Sequence, residues 1–359
     1  MPKTILFDSY KLGSLTIKNR VVMAPMTRNR SPNNVPDHLV AEYYGQRAEA
    51  GLIITEGTSP SANGLGYARI PGLFNEEHVK AWHAVTNKVH AGKSHIFVQL
   101  MHCGRASHPD NLPAKAKIIA PSAIALGQDI WTDTKGNQPA PVPEAMSEKD
   151  IEDTIHEFVK SAELAVKSGF DGVEIHGANG YLVDQFLNTA SNQRTDRWGG
   201  TIENRARFPI EIARQMAKKI GPEKVGIRLS PYGAFNSTQP DAEMDRLYEY
   251  LAKELNKLGI VYIHVVDHSS MGAPAVPDSV KKVIRENFKG TYILSGGYDK
   301  EKAEADLEAK RGDIVAFGRP FISNPRLVSK MLEDAPLTPA DQTTFYTPGP
   351  KGFTDYPVN

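Results

Sequence analysis

Eight short apolar runs alternate along this chain with segments of helical spacing, and no other feature limits the fold so sharply. The runs are Asn19–Pro25, Gly51–Thr55, His95–Leu100, Gly172–His176, Val225–Leu229, Ile260–Val266, Thr291–Leu294 and Asp313–Phe317. Most are apolar throughout rather than alternating, the pattern of strands covered on both faces. Helices are predicted near 37–50, 76–91, 148–168, 205–220, 241–258, 278–287 and 299–310. The third should start at an N-cap on Ser147 and bury Ile151, Ile155, Phe158, Val159, Ala162 and Val166. Gly169 should stop it. The fourth aligns Phe208, Ile212, Met216 and Ile220 and ends at Gly221-Pro222. Strands alternating with helices form a parallel sheet, and eight such units favour a closed (β/α)8 TIM barrel of the α/β class over an open sheet. Residues 5–18, around Gly13, read as an N-terminal β-hairpin. No linker divides the chain, so residues 1–359 read as one domain.

Two stretches break the even spacing. Residues 102–146 form a long Pro- and Gly-rich excursion after the third strand, and residues 177–204 form another after the fourth. Both leave from carboxyl ends of strands, the face on which such barrels place their active sites. Polar residues gather there. On the fourth strand and its turn, His176, Asn179 and Tyr181 stand within six residues of one another. They could be a capped turn with a satisfied histidine and a packed ring, or two hydrogen-bond donors and a phenolic acid facing a substrate. On the fifth strand, Val225, Ile227 and Leu229 share a face suited to helix packing, which turns Arg228 inward. An inward arginine needs an anion, several acceptors or an ion pair, for which Glu174, also inward by the same count, is the candidate. Ser295-Gly296-Gly297 and Phe317-Gly318-Arg319 follow the last two strands, where barrels often bind phosphate with exposed backbone N–H groups. His102, Cys103 and His108 lack a carboxylate at ligand spacing, so no metal site is expected.

Composition closes off other classes. Positive and negative residues balance at 42 each, which gives no footprint for nucleic acid. A single cysteine excludes an intramolecular disulfide and an iron–sulfur cluster. No apolar run approaches the roughly 20 residues of a membrane span. The first residues lack a basic segment followed by an apolar one, so no secretory signal is expected and the expected compartment is cytoplasmic. A phosphosugar aldolase or isomerase would need a lysine or glutamate base at a strand end, and no such lysine is evident.

Taken together, Ala24-Pro-Met-Thr-Arg28, Val98-Gln-Leu-Met-His-Cys-Gly-Arg105, His176-Gly-Ala-Asn-Gly-Tyr181, Ser191-Asn-Gln-Arg-Thr-Asp196 with Gly199-Gly200, Ile227-Arg-Leu-Ser-Pro231, Phe317-Gly-Arg-Pro-Phe321 and Gly352-Phe-Thr-Asp-Tyr-Pro357 resemble the old yellow enzyme family of FMN-dependent ene-reductases, nearly end to end. Thr27 resembles the branch with threonine near the flavin O4 rather than the one with cysteine. The resemblance implies tightly bound, non-covalent FMN, with NADPH or NADH as hydride donor. It implies reduction of the activated C=C bond of α,β-unsaturated carbonyl compounds, with nitro compounds or nitrate esters as further substrates. By the same resemblance Pro25, Met26, Thr27 and Gly57 line the isoalloxazine, Gln99 and Arg228 bond its pyrimidine end, and Gly296, Gly297, Gly318 and Arg319 take the phosphate. His176 and Asn179 would hold the substrate carbonyl, Tyr181 would protonate the α-carbon, and Tyr67, Phe235 and Tyr346 would wall the substrate cavity. Met101 stands where many relatives have tryptophan, so the wall there should be more adaptable. The implied partner is a small electrophilic alkene, and the protein is expected to be a monomer or homodimer.

Overall fold

The computed structural model describes residues 4–358. Its eight central strands close into an all-parallel barrel in chain order. They are Val21–Met23, Leu52–Ile54, His95–Leu100, Gly172–Gly177, Val225–Leu229, Tyr262–Val266, Thr291–Ser295 and Ile314–Phe317. All eight fall within one or two residues of the runs read from the sequence, and a helix lies between each consecutive pair.

Two cores hold the barrel. Outward side chains such as Val173, Ile175, Val225 and Ile227 pack with the helix faces in one continuous cluster. Inward ones (Val22, Leu52, Ile54, Phe97, Tyr262, Ile293 and Ile314) form a second. Leu12 and Ile17 of the N-terminal hairpin (Tyr10–Leu12 with Leu15–Ile17) join this inner cluster, so the hairpin plugs the barrel floor. A Cβ on Gly226 would sit 2.2 Å from the Tyr262 ring, so only glycine leaves that ring room to fill the barrel.

The helix Glu148–Lys167 begins in a capping box between Ser147 and Asp150, a feature worth about 1 kcal/mol. Ile151, Ile155, Phe158 and Ala162 are buried as expected, Val159 is half-buried, and Val166 is not on that face. At 3.6 residues per turn the stripe continues through Ala165, which is buried, and swings Val166 out to 39% exposure.

The excursion after the third strand carries an antiparallel pair (Asp129–Thr132 with Gly136–Pro139) and a short parallel pair (Ile119–Ala120 with Glu144–Ala145). Arg105 ties it to the loop after the fifth strand through the carbonyls of Asn236 and Ser237. A C-terminal segment is fastened to the first strand's loop by two buried arginines. Arg28 donates to the Gly352 carbonyl at 2.7 Å, and Arg30 donates to those of Thr344 and Lys351 at 2.8 Å. That clamp carries Tyr346 to the carboxyl-terminal face.

Candidate active site

A polar layer caps the inner core. Glu174, on the fourth strand, accepts from Gln99 Nε2 at 2.7 Å and faces His264 Nδ1 at 2.8 Å, with all three side chains buried. The barrel register sets Gln99 beside Glu174, and Arg228 between His176 and His264. Glu174 therefore commits both oxygens to neighbours other than Arg228. Among the described residues Arg228 makes no ion pair, and its Nε is buried without a partner. The ion-pair reading of this arginine fails. A buried guanidinium in that condition is a site for an anionic or acceptor-rich ligand.

His176 lies one step nearer the barrel mouth. Its Nδ1 accepts from the Ala178 N–H at 3.3 Å. Burial first, then the positive field of Arg228, holds the ring's pKa well below the usual histidine range. The imidazole is thus neutral, and because Nδ1 accepts, its hydrogen is on Nε2, where it can donate. Asn179 and Gly180 both take left-handed backbone angles, φ 61° and 70°. Asparagine is one of the few side-chain-bearing residues that tolerates this conformation readily. Neighbours hold the turn: the Asn179 N–H donates to Ser230 Oγ at 2.8 Å, and the Gly180 N–H donates to Asp184 at 2.8 Å.

Tyr181 follows, its ring edge-on to His176 at 4.9 Å and to Tyr67 at 6.0 Å, with a hydrogen bond to the Tyr67 hydroxyl at 3.3 Å. Burial pushes the Tyr181 phenol well above 10, so it is protonated at neutral pH. Met101 and Cys103 pack with Tyr67 and Tyr181, and Ala106, Leu126 and Ile130 of the excursion close the other side. Met101 is fully buried, its thioether filling the space a Cβ on Gly57 would need. The expectation that it forms an adaptable wall thus meets a well-packed side chain behind the tyrosines.

Pro25 is buried while Met26 and Thr27 are half-buried at the end of the first strand. Gly318 leaves its Cβ direction open, with Met26 Sδ the nearest atom at 3.7 Å. Gly296 has φ 125° and a Cβ there would lie 1.9 Å from the Asp267 carbonyl, so only glycine fits that turn. Gly297 and Arg319 are exposed beside it. Phe235 is half-buried against the His268 ring at 4.5 Å. Tyr346 is the outlier of the expected wall: at 61% exposure it stands on the rim.

Sequence reading missed Asp184, Ser230 and His268. His268 follows the sixth strand and its Nε2 lies 2.7 Å from Asn179 Oδ1. Its place just past a strand's carboxyl end was a usable signal, but its partner 89 residues away was not. Asp184 has a measurable consequence. Burial raises its carboxyl to about 7, and that of Glu56 likewise to about 7. Raised folded-state values mean that the native protein binds more protons than the unfolded chain between about pH 4 and 7. The stabilisation is complete below that window and is lost as pH rises through it. Asp184→Asn is expected to make the fall of melting temperature between pH 4 and 7 shallower than in the parent. An unchanged slope would contradict the raised carboxyl.

Residues 5–338 match the NADH:flavin oxidoreductase / NADH oxidase family. The chain is 41% identical to the chanoclavine-I aldehyde reductase of Penicillium roqueforti, over 98% of this chain and 96% of that protein. It is 38% identical to 12-oxophytodienoate reductase 2 of Arabidopsis thaliana, over 98% and 95%. Among solved structures it superposes on the old yellow enzyme homologue from Zymomonas mobilis with a TM-score of 0.94 and 38% identity, covering 98% of this chain and 99% of that one. With a family match spanning most of the barrel and relatives of this similarity covering nearly the whole chain, the protein belongs to the NADH:flavin oxidoreductase / NADH oxidase family, that of the old yellow enzymes, and is an FMN-dependent oxidoreductase.

Proposed function

We propose that this protein reduces the activated C=C bond of α,β-unsaturated carbonyl compounds. The observation that carries the reading is the convergence, beside the unpaired Arg228, of a neutral His176 with a free Nε2–H, the Asn179 amide and a protonated Tyr181. A 12-oxophytodienoate reductase, a chanoclavine-I aldehyde reductase and a probable flavin mononucleotide-dependent alkene reductase stand among its relatives, which favours a conjugated carbonyl substrate.

The residues present fit an FMN. Arg228 needs acceptors and the pyrimidine end of a flavin supplies them, with Gln99 two strands round the same barrel as its second partner. Pro25, Met26, Thr27 and Gly57 would border the ring, and Gly296, Gly297, Gly318 and Arg319 would receive the phosphate on bare backbone. Thr27 at that border supports the threonine branch of the family. When bound, FMN supplies a hydride drawn from NADH or NADPH. The chain's own work is done around the substrate. His176 and Asn179 would donate to the carbonyl oxygen, drawing electron density from the double bond and stabilising the enolate that develops as the β-carbon is reduced. Tyr181, a weak acid but strong enough for an enolate carbon, would protonate the α-carbon. Tyr67 and Phe235 would shape the cavity, with Met101 behind the tyrosines and Tyr346 at its mouth.

The test is direct. Purified protein should be yellow, should release FMN on denaturation, and should oxidise NADH or NADPH anaerobically beyond the single equivalent that reduces its flavin only when 2-cyclohexenone is added, with cyclohexanone as product. Yellow protein that consumes nicotinamide but leaves every enone untouched would defeat the reading. Nitro compounds and nitrate esters, whose oxygens His176 and Asn179 could hold in the same way, extend the same assay. We further propose that residues 1–359 work as one FMN-binding unit, in the cytoplasm, as a monomer or homodimer. Continuity of the outer core around the whole barrel supports the single unit, and light scattering would count the subunits. Among the described residues no helix is long and apolar enough to cross a membrane.

A further inference from the structure

Asn179 is held at three of its four polar groups. Its N–H donates to Ser230 Oγ at 2.8 Å, its carbonyl accepts from Asn236 Nδ2 at 2.8 Å, and its side-chain Oδ1 lies 2.7 Å from His268 Nε2. An amide oxygen can only accept, so His268 must carry its hydrogen on Nε2. The imidazole sits half-buried after the sixth barrel strand, edge-on to Phe235 at 4.5 Å. Burial, with Arg228 and Arg319 adding to it and Asp267 opposing, lowers its pKa to about 4. It is therefore neutral near pH 7, with a single N–H, and that hydrogen goes to Asn179.

The consequence concerns which end of the Asn179 amide faces the substrate. The two ends are nearly equal in shape and opposite in hydrogen bonding. With Oδ1 engaged by His268, Nδ2 is the end of the amide left to a substrate, and a carbonyl oxygen held by Asn179 and His176 would meet two donors. Turned over, the amide would set its own oxygen against the substrate's. We infer that His268 is a positioning residue that locks the Asn179 amide in its donating orientation and so selects substrates whose anchoring group is an acceptor. This rests on the reading of Asn179 as a carbonyl-holding residue, and it adds a group from outside the His176–Tyr181 turn.

Two measurements on the FMN-loaded protein decide it. In the first, long-range 1H–15N spectra of protein labelled at histidine nitrogens should show His268, identified by the signal lost in His268→Leu, with a protonated Nε2 and a bare Nδ1. A bare Nε2 would mean that the imidazole accepts from Asn179, and the inference would fall. In the second, 2-cyclohexenone kinetics are compared across His268→Gln, which keeps a donor, His268→Leu, which has none, and His268→Glu, which offers only acceptors when ionised. The specificity constant should hold within about threefold for glutamine, fall about tenfold for leucine and fall further for glutamate, the first losses appearing in KM. Equal losses in all three, no loss in any, or a glutamate variant better than leucine would overturn the lock in favour of simple packing against Phe235. Failure of the parent protein to reduce any enone would instead remove the proposed function, and the spectrum would still report the tautomer.

Discussion

Tyr181→Phe is expected to slow reduction of an enone on the order of 100-fold while leaving reduction of the flavin by nicotinamide within a few-fold of the parent. The separation follows from what the hydroxyl touches. Tyr181 is half-buried between His176 and Tyr67, and desolvation holds its phenol protonated. The Cys103 thiol beside it is also pushed up by burial, so no stronger acid stands close by to take over. Removing the oxygen leaves the ring contacts in place and deletes one long hydrogen bond to Tyr67, a loss of roughly 1 kcal/mol in stability. Proton delivery alone should suffer, and stopped-flow measurement of the two half-reactions separately is the check. Equal losses in both would mean that the hydroxyl shapes the site instead of supplying the proton.

Arg228→Leu is expected to act in opposite directions on the two forms of the protein. FMN affinity should fall at least tenfold, as a charge-assisted contact is lost. The flavin-free protein should melt higher, because an arginine buried without an ion pair is an uncompensated charge whose replacement by an apolar side chain relieves a desolvation cost of several kcal/mol. Glu174 lessens that cost by proximity without pairing. Calorimetry with and without added FMN separates the effects. If both forms lose stability together, Arg228 is a structural cation and its partner is within the protein after all.

Much of this arrangement was legible in the chain. Eight apolar runs with helical segments between them define the barrel, because a strand buried on both faces cannot be built from alternating residues. The alternation of side chains along the fifth strand was enough to turn Arg228 inward. The glycines after the last two strands were readable for the same kind of reason, since at Gly296 the backbone itself excludes a side chain. Where local periodicity was extended too far it misplaced a residue, as with Val166, which the helix's own pitch carries into solvent. Tyr346 could be assigned to the site by resemblance. Its position on the rim depends on two arginines more than 300 residues away that hold the C-terminal segment by its carbonyl groups.

The choice of partners was decided by the tertiary structure alone. Glu174 could have paired with Arg228 by every rule of facing. The barrel's register instead sets Gln99 and His264 against its two oxygens and leaves the arginine without an ion pair. The orientation of the Asn179 amide depends likewise on His268, a residue 89 positions further on. The sequence by itself determined the barrel and the carboxyl-terminal mouth at which the candidate residues gather, because strand periodicity and glycine geometry are local. Which donor meets which acceptor was settled only by closure of the sheet, because hydrogen bonds act over about 3 Å and only the closed barrel brings such distant residues that near.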